Sequence, residues 1–151
     1  MTREVLLCFD GSPQAAHAIR AAGNLLAVRD ALVLSVAVPA EDSFALDPLG
    51  DLVGRVTRIY RDLDEIGTRL AVEQARRGCK LADAAGLNAR PITHIGKPAQ
   101  TILDVADAHE AAVIVLGSRR HPGLGGILGS VAARVSQAAT RPVLIFPGPE
   151  D

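Results

Sequence analysis

Aromatic residues are scarce in this chain, with no Trp, one Tyr and three Phe among 151 residues. A core must therefore be assembled from Val, Leu, Ile and Ala, and hydrophobic residues do make up 48% of the sequence. That combination suits a parallel sheet buried on both faces by helices. Cysteine is nearly absent: Cys8 and Cys79 stand alone. Neither has the paired Cys or His neighbours of a zinc site, and two lone thiols make no disulfide framework. Cys8 falls inside an apolar run and reads as a small core residue. Charge of one sign is also missing, since 16 basic residues face 17 acidic ones for a net charge of −1. No basic face follows from that balance, so no nucleic-acid partner is expected. No apolar run approaches the roughly 18–20 residues of a membrane span, so no membrane partner is expected. The opening "MTREVLLCFDG" places charges before an apolar run too short for a secretory signal, which points to a cytoplasmic protein. The length suits one domain, 1–151.

Five short apolar runs are present: 4–9, 31–38, 89–95, 111–117 and 141–147. Most are rich in β-branched residues and too short for helices, so they read as buried strands. Helical patterns lie between them. Ser12-Pro13 is a start signal, with Ser as cap and Pro at the first helical position, for a helix running to about Val28. In 52–85, Val56, Ile59, Leu63, Ile66 and Leu70 recur at alternating steps of three and four, which makes one helical face apolar. Gly67 and Gly78 are expected to bend or break that helix. Lys97-Pro98 opens another helix, ending near His109. Gly129-Ser130 opens the last, with Val131, Val135 and Ala138 directed inward. The polar stretch 39–51 carries two prolines and reads as a flexible connection. Strands alternating with helices give an α/β fold with a parallel sheet and right-handed crossovers. Such sheets bind ligands beyond the carboxyl ends of their strands.

Two strand ends are unusual. "LGSRRHPGLGGILGS" (116–130) leads from a strand through a glycine-rich loop into a helix start. Gly117, Gly123, Gly125, Gly126 and Gly129 allow close backbone approach, and a helix N-terminus favours an anion. Ser130 adds a hydroxyl, and Arg119 and Arg120 add charge-assisted donors. A phosphate site and a plain surface turn before a capped helix both fit. Gly-Lys-Ser/Thr is absent, so this is not the phosphate loop of the common NTPases. It is not a Rossmann fingerprint either, which opens the first helix of its unit. Asp10, ending the first strand before Gly-Ser-Pro, would either accept hydrogen bonds from a ribose or base, or form an Asx turn into the helix. His17, His94, His109 and His121 lack metal-ligand spacing. No nucleophile elbow or carboxylate pair is evident, so an enzyme is not expected.

"VLLCFDGSPQAAHAI", "GKPAQTILDVADAHEAAVIVLGSRR" and "GSVAARVSQAATRPVLIFP" together resemble the universal stress protein family, strand by strand along nearly the whole chain. The resemblance implies a five-stranded parallel sheet of order 3-2-1-4-5, sandwiched by helices as in the adenine-nucleotide-hydrolase-like folds. It implies a homodimer joined through the C-terminal strand, and a regulatory stress-response role. In the nucleotide-binding branch, ATP lies over the ends of the first and fourth strands. The motif there is Gly, two residues, Gly, nine residues, then Gly-Ser or Gly-Thr. Gly117 matches the first Gly, and Gly129-Ser130 the final pair. Arg120 stands where the second Gly is expected, and the interval to Gly129 is eight residues, one short. By the same resemblance Phe9 and Asp10 adjoin the adenosine, Val36 packs near the adenine, and Leu116, Val131 and Ala132 make backbone contacts. The implied ligand is ATP with Mg or Mn, or AMP or cAMP in its place, with slow hydrolysis at most. The alternative is an interaction module of the same fold that binds no nucleotide and works through its dimer surface and the 39–60 segment.

Overall fold

In β1 (Val5–Cys8) successive side chains turn to opposite layers: Val5 and Leu7 join one apolar cluster and Leu6 the other. A computed structural model describes residues 3–40, 53–118 and 128–148, and the side chains of 53–57 lie outside that description. After β1 the chain forms α1 (Pro13–Leu25), β2 (Asp30–Ala37), α2 (Val53–Ala84), β3 (Asn88–Ile95), α3 (Pro98–Ala108), β4 (Val113–Ser118), α4 (Ser130–Ala138) and β5 (Val143–Pro147). The five strands form one sheet in the order β3-β2-β1-β4-β5, and every pairing is parallel. Order and class are those the family resemblance implied.

The two clusters are the two faces of that sheet. Val5, Leu7, Val33 and Val115 pack with Ile19 of α1 and Ala82 of α2. Leu6, Leu34, Ile114 and Leu116 pack with Ile102 and Val105 of α3 and Val135 of α4. The central strands β1, β2 and β4 are therefore apolar at nearly every position, because neither side of them meets water. The edge strands β3 and β5 are only partly covered.

Three expectations are corrected. α1 ends at Leu25 rather than near Val28: Leu26 is already extended, and Leu26 and Val28 pack onto the first cluster along the lead into β2. α2 is one continuous helix through both glycines. Gly78 is tolerated because it lies against the sheet, where a Cβ would come within 2.5 Å of Val33 Cγ1 and 3.0 Å of Phe9 Cδ1. In α4 Val131 and Val135 do pack inward, joined by Ala132 and by Ala139 beyond the helix, but Ala138 is exposed. The connection expected over 39–51 is described only to Ala40, whose N–H donates to Asp64 Oδ1 (2.8 Å); residues 41–51 lie outside the description. Among the described residues no helix is long and apolar enough to cross a membrane.

Candidate functional site

β1 and β4 are neighbours, so their carboxyl ends open side by side at the same edge of the sheet. A cleft of about 230 Å³ lies there. Of the residues singled out from sequence, Phe9, Asp10, Val36, Leu116, Gly117, Val131 and Ala132 all border it. Arg120 lies outside the described residues, as do Arg119, His121, Gly123, Gly125 and Gly126.

The floor is held by the end of β1. Phe9 N–H donates to the Leu34 carbonyl (2.9 Å), and the buried Ser35 hydroxyl donates to the Phe9 carbonyl (2.7 Å). The Phe9 ring packs in the opposite layer, against Gly78 and the α1–α2 cluster, which leaves its main chain to bound the cleft. The next residue, Asp10, is exposed; its Oδ1 accepts from the Ser12 N–H (2.9 Å), and Ser12 Oγ accepts from the Ala15 N–H (3.1 Å). The Asx turn is thus present and leads into a capped α1. It occupies one carboxylate oxygen; Oδ2 has no partner among the described residues.

The two motif glycines are glycine for different reasons. At Gly117 a Cβ would overlap the Gln14 carbonyl and lie 2.7 Å from Ala15 N, so the first turn of α1 rests on bare backbone there. That demand belongs to the fold. Gly129 carries no such demand. Its φ of −59° suits any residue, and a Cβ would meet only Ser118 Oγ at 3.8 Å. Its N–H donates to Ser118 Oγ (3.1 Å), which ties the end of β4 to the start of α4.

α4 begins at Ser130 with Gly129 as N-cap and no side-chain cap. The first N–H groups of a helix have no intrahelical acceptors, and here Val131 and Ala132, which carry two of them, border the cleft. This end of the cleft therefore presents backbone donors and the positive end of a helix dipole. The remaining wall is aliphatic: Leu34, Val36, Val38, Ile102 and Leu116.

Cys8 also borders the cleft. Burial, followed by the nearby Asp10 charge, pushes its thiol well above the ordinary thiol range, so it is a neutral apolar contact rather than a nucleophile. Sequence reading had placed it in the core and missed it here. It likewise missed Val38, Pro98 and Ile102, which converge only when β2 and α3 are packed. His17 and His94 are exposed, and His109 is the C-cap residue of α3. Among the described residues no group of three His, Cys, Asp or Glu converges as a metal site.

The profile of the universal stress protein family matches residues 1–147. Universal stress protein YxiE of Bacillus subtilis is 34% identical over 153 residues, covering 96% of this chain and 99% of its own. Three solved structures superpose with a TM-score of 0.64. A universal stress protein in complex with cAMP is 20% identical, with 98% of each chain covered. That from Archaeoglobus fulgidus in complex with dAMP is 20% identical, covering 97% of this chain and 99% of its own. A universal stress protein family member of Arabidopsis thaliana with AMP bound is 15% identical, covering 99% and 94%.

Proposed function

This chain belongs to the universal stress protein family, and from that premise we propose that it binds an adenine nucleotide in the cleft beyond β1 and β4. The observation that carries this is the start of α4. It has no side-chain cap, its Val131 and Ala132 border the cleft although Gly129 and Ser130 do not, and nothing among the described residues requires the missing side chain of Gly129. A glycine left free of internal demand beside open N–H groups suits an anionic group arriving from outside. Three relatives of the same fold, named with AMP, dAMP and cAMP, support an adenine nucleotide as that group.

In this reading the adenine lies on the aliphatic wall of Val36 and Leu116, and the ribose hydroxyls donate to Asp10 Oδ2. The Gly117 and Phe9 main chains bound the floor. The phosphates meet the N–H groups of Ser130, Val131 and Ala132 and the Ser130 hydroxyl, with Arg120 supplying charge. ATP with Mg or Mn extends furthest along this path; AMP or cAMP uses its inner part. Nothing among these side chains is placed as a general base, so the reading is of a regulatory, cytoplasmic stress-response protein that hydrolyses ATP slowly at most. It acts as a homodimer through β5, and its nucleotide state is read by a partner.

The test is to denature freshly purified protein, identify any released nucleotide by chromatography, and titrate the emptied protein calorimetrically with ATP, AMP and cAMP. About one adenine nucleotide per chain is expected. Gly129→Leu should abolish binding and leave the thermal unfolding midpoint nearly unchanged, because φ and the space at Gly129 accept a side chain. An empty protein that gives no binding heat would overturn the reading and leave an interaction module of the same fold.

A further inference from the structure

α2 is far longer than the sheet it covers. Its 32 residues span ~48 Å at 1.5 Å each, whereas the eight residues of β2 span ~26 Å. Its buried residues among those described, Ala71, Ala75, Gly78, Cys79 and Ala82, all lie in its second half. Among the described side chains none before Ala71 is buried, so the first half reaches past the sheet. That projecting half carries a row of large aliphatic side chains turned away from the body: Ile59 (55% exposed), Leu63 (37%), Ile66 (52%) and Leu70 (59%). Their steps of four, three and four residues are the spacing of a coiled-coil seam, which repeats every 3.5 residues. A face that packed on this chain's own core would instead continue the line of Ala71, Ala75 and Ala82, which is a different side of the helix.

We propose that this seam pairs with the same seam of a second copy, the two α2 helices running antiparallel. In that alignment Ile59 faces the partner copy's Leu70, and Leu63 its Ile66, so all four residues are covered by one another. The flanking charges select the direction. Asp62 and Arg69 border the seam on its outer side, both are exposed, and neither has an ion-pair partner among the described residues. Antiparallel pairing brings Asp62 beside Arg69 of the other copy, twice by symmetry, whereas parallel pairing sets Asp62 against Gly67 and leaves both charges unmatched. Gly67 fits the same arrangement. The space where its Cβ would be is open to 4 Å, and it borders the seam on the side from which Tyr60 of the second copy approaches. This surface is separate from the β5 edge, so the two associations are separable.

Sedimentation equilibrium of the full chain tests the proposal, in the natural sequence and with the β5 edge blocked by Ile145→Pro. Association is expected in both. Ile66→Glu should abolish the α2 association, and Arg69→Asp should weaken it at least tenfold at low salt, with added salt now strengthening it instead of weakening it. The double reversal Asp62→Arg with Arg69→Asp should restore it. The α2 variants are at exposed positions, and circular dichroism should report an unchanged fold. The proposal is overturned if the Ile145→Pro chain is monomeric at high micromolar concentration, or if the double reversal fails to restore what the single reversal lost. It is also overturned if Ile66→Glu lowers only the melting temperature of a monomer, the signature of residues 41–52 covering the seam.

Discussion

Cys8 and Asp10 lie two positions apart at the end of β1 and behave as opposites. The carboxylate is exposed and half-engaged by the Ser12 N–H, while the thiol is held neutral by burial and by that same negative charge. A group whose pKa is raised on folding stabilises the fold while it is protonated. Its contribution is complete below the unfolded value of about 8.5 and declines as the pH rises beyond it, where only the unfolded chain ionises readily. The thermal midpoint should therefore fall between pH 8 and pH 10 in scanning calorimetry. Cys8→Ala should flatten part of that slope. Cys79 is raised in the same direction, by burial and then by Asp83, and accounts for a further part. A slope unchanged by Cys8→Ala would mean that the Cys8 thiol ionises as easily in the fold as out of it.

Single elements show where two local preferences compete. Alanine in place of Gly78 would raise helix propensity by about 1 kcal/mol. The added methyl would meet Val33 and the Phe9 ring inside the first cluster, in a close-packed layer with no slack. Overpacking of this kind costs about 1–3 kcal/mol, which offsets or exceeds that gain, so Gly78→Ala should be destabilising by up to about 2 kcal/mol in urea unfolding. A gain in stability would show that α2 shifts freely on the sheet. Helix existence was legible here from periodicity, and so was the cap of α1 from Ser12-Pro13. The continuity of α2 was not, because a glycine's cost depends on what its bare backbone touches. The row Ile59, Leu63, Ile66 and Leu70 was legible as one face, but its exposure depends on how far the helix outreaches the sheet.

At the scale of the whole molecule the sheet ends in two unequal edges. β3 is mostly exposed and carries Arg90, paired with Glu4 through two bonds of 2.9 Å, and Pro91, which lacks a donor. Charge and proline are the usual protections of an edge. β5 is aliphatic from Val143 to Ile145 and only half-covered. Ile114 N–H donates to Pro142, and Gly148 N–H donates to Ser118, so by alternation the Ile145 N–H points outward from β4. Ile145→Pro should thus spare the β4 pairing and remove the edge donor. If the homodimer forms through β5, this variant should lower the sedimenting mass at unchanged helix and strand content. An unchanged mass would place self-association elsewhere.

By itself the sequence determined which segments are strands and which are helices, because strands buried on both faces are short continuous apolar runs, whereas helix amphipathicity recurs at about 3.6 residues. It also marked the two strand ends rich in turn residues, Asp10-Gly11-Ser12 and Gly117 through Gly129. The strand order entered only through family resemblance, since no local pattern encodes which strands are neighbours. Tertiary packing alone decided that β1 and β4 adjoin, and so that Asp10, Val36, Leu116 and the start of α4 share one cleft. It also separated two glycines that look alike in sequence. Gly117 is required by the approach of α1, and Gly129 is left open, because the space around a residue is set by contacts distant along the chain.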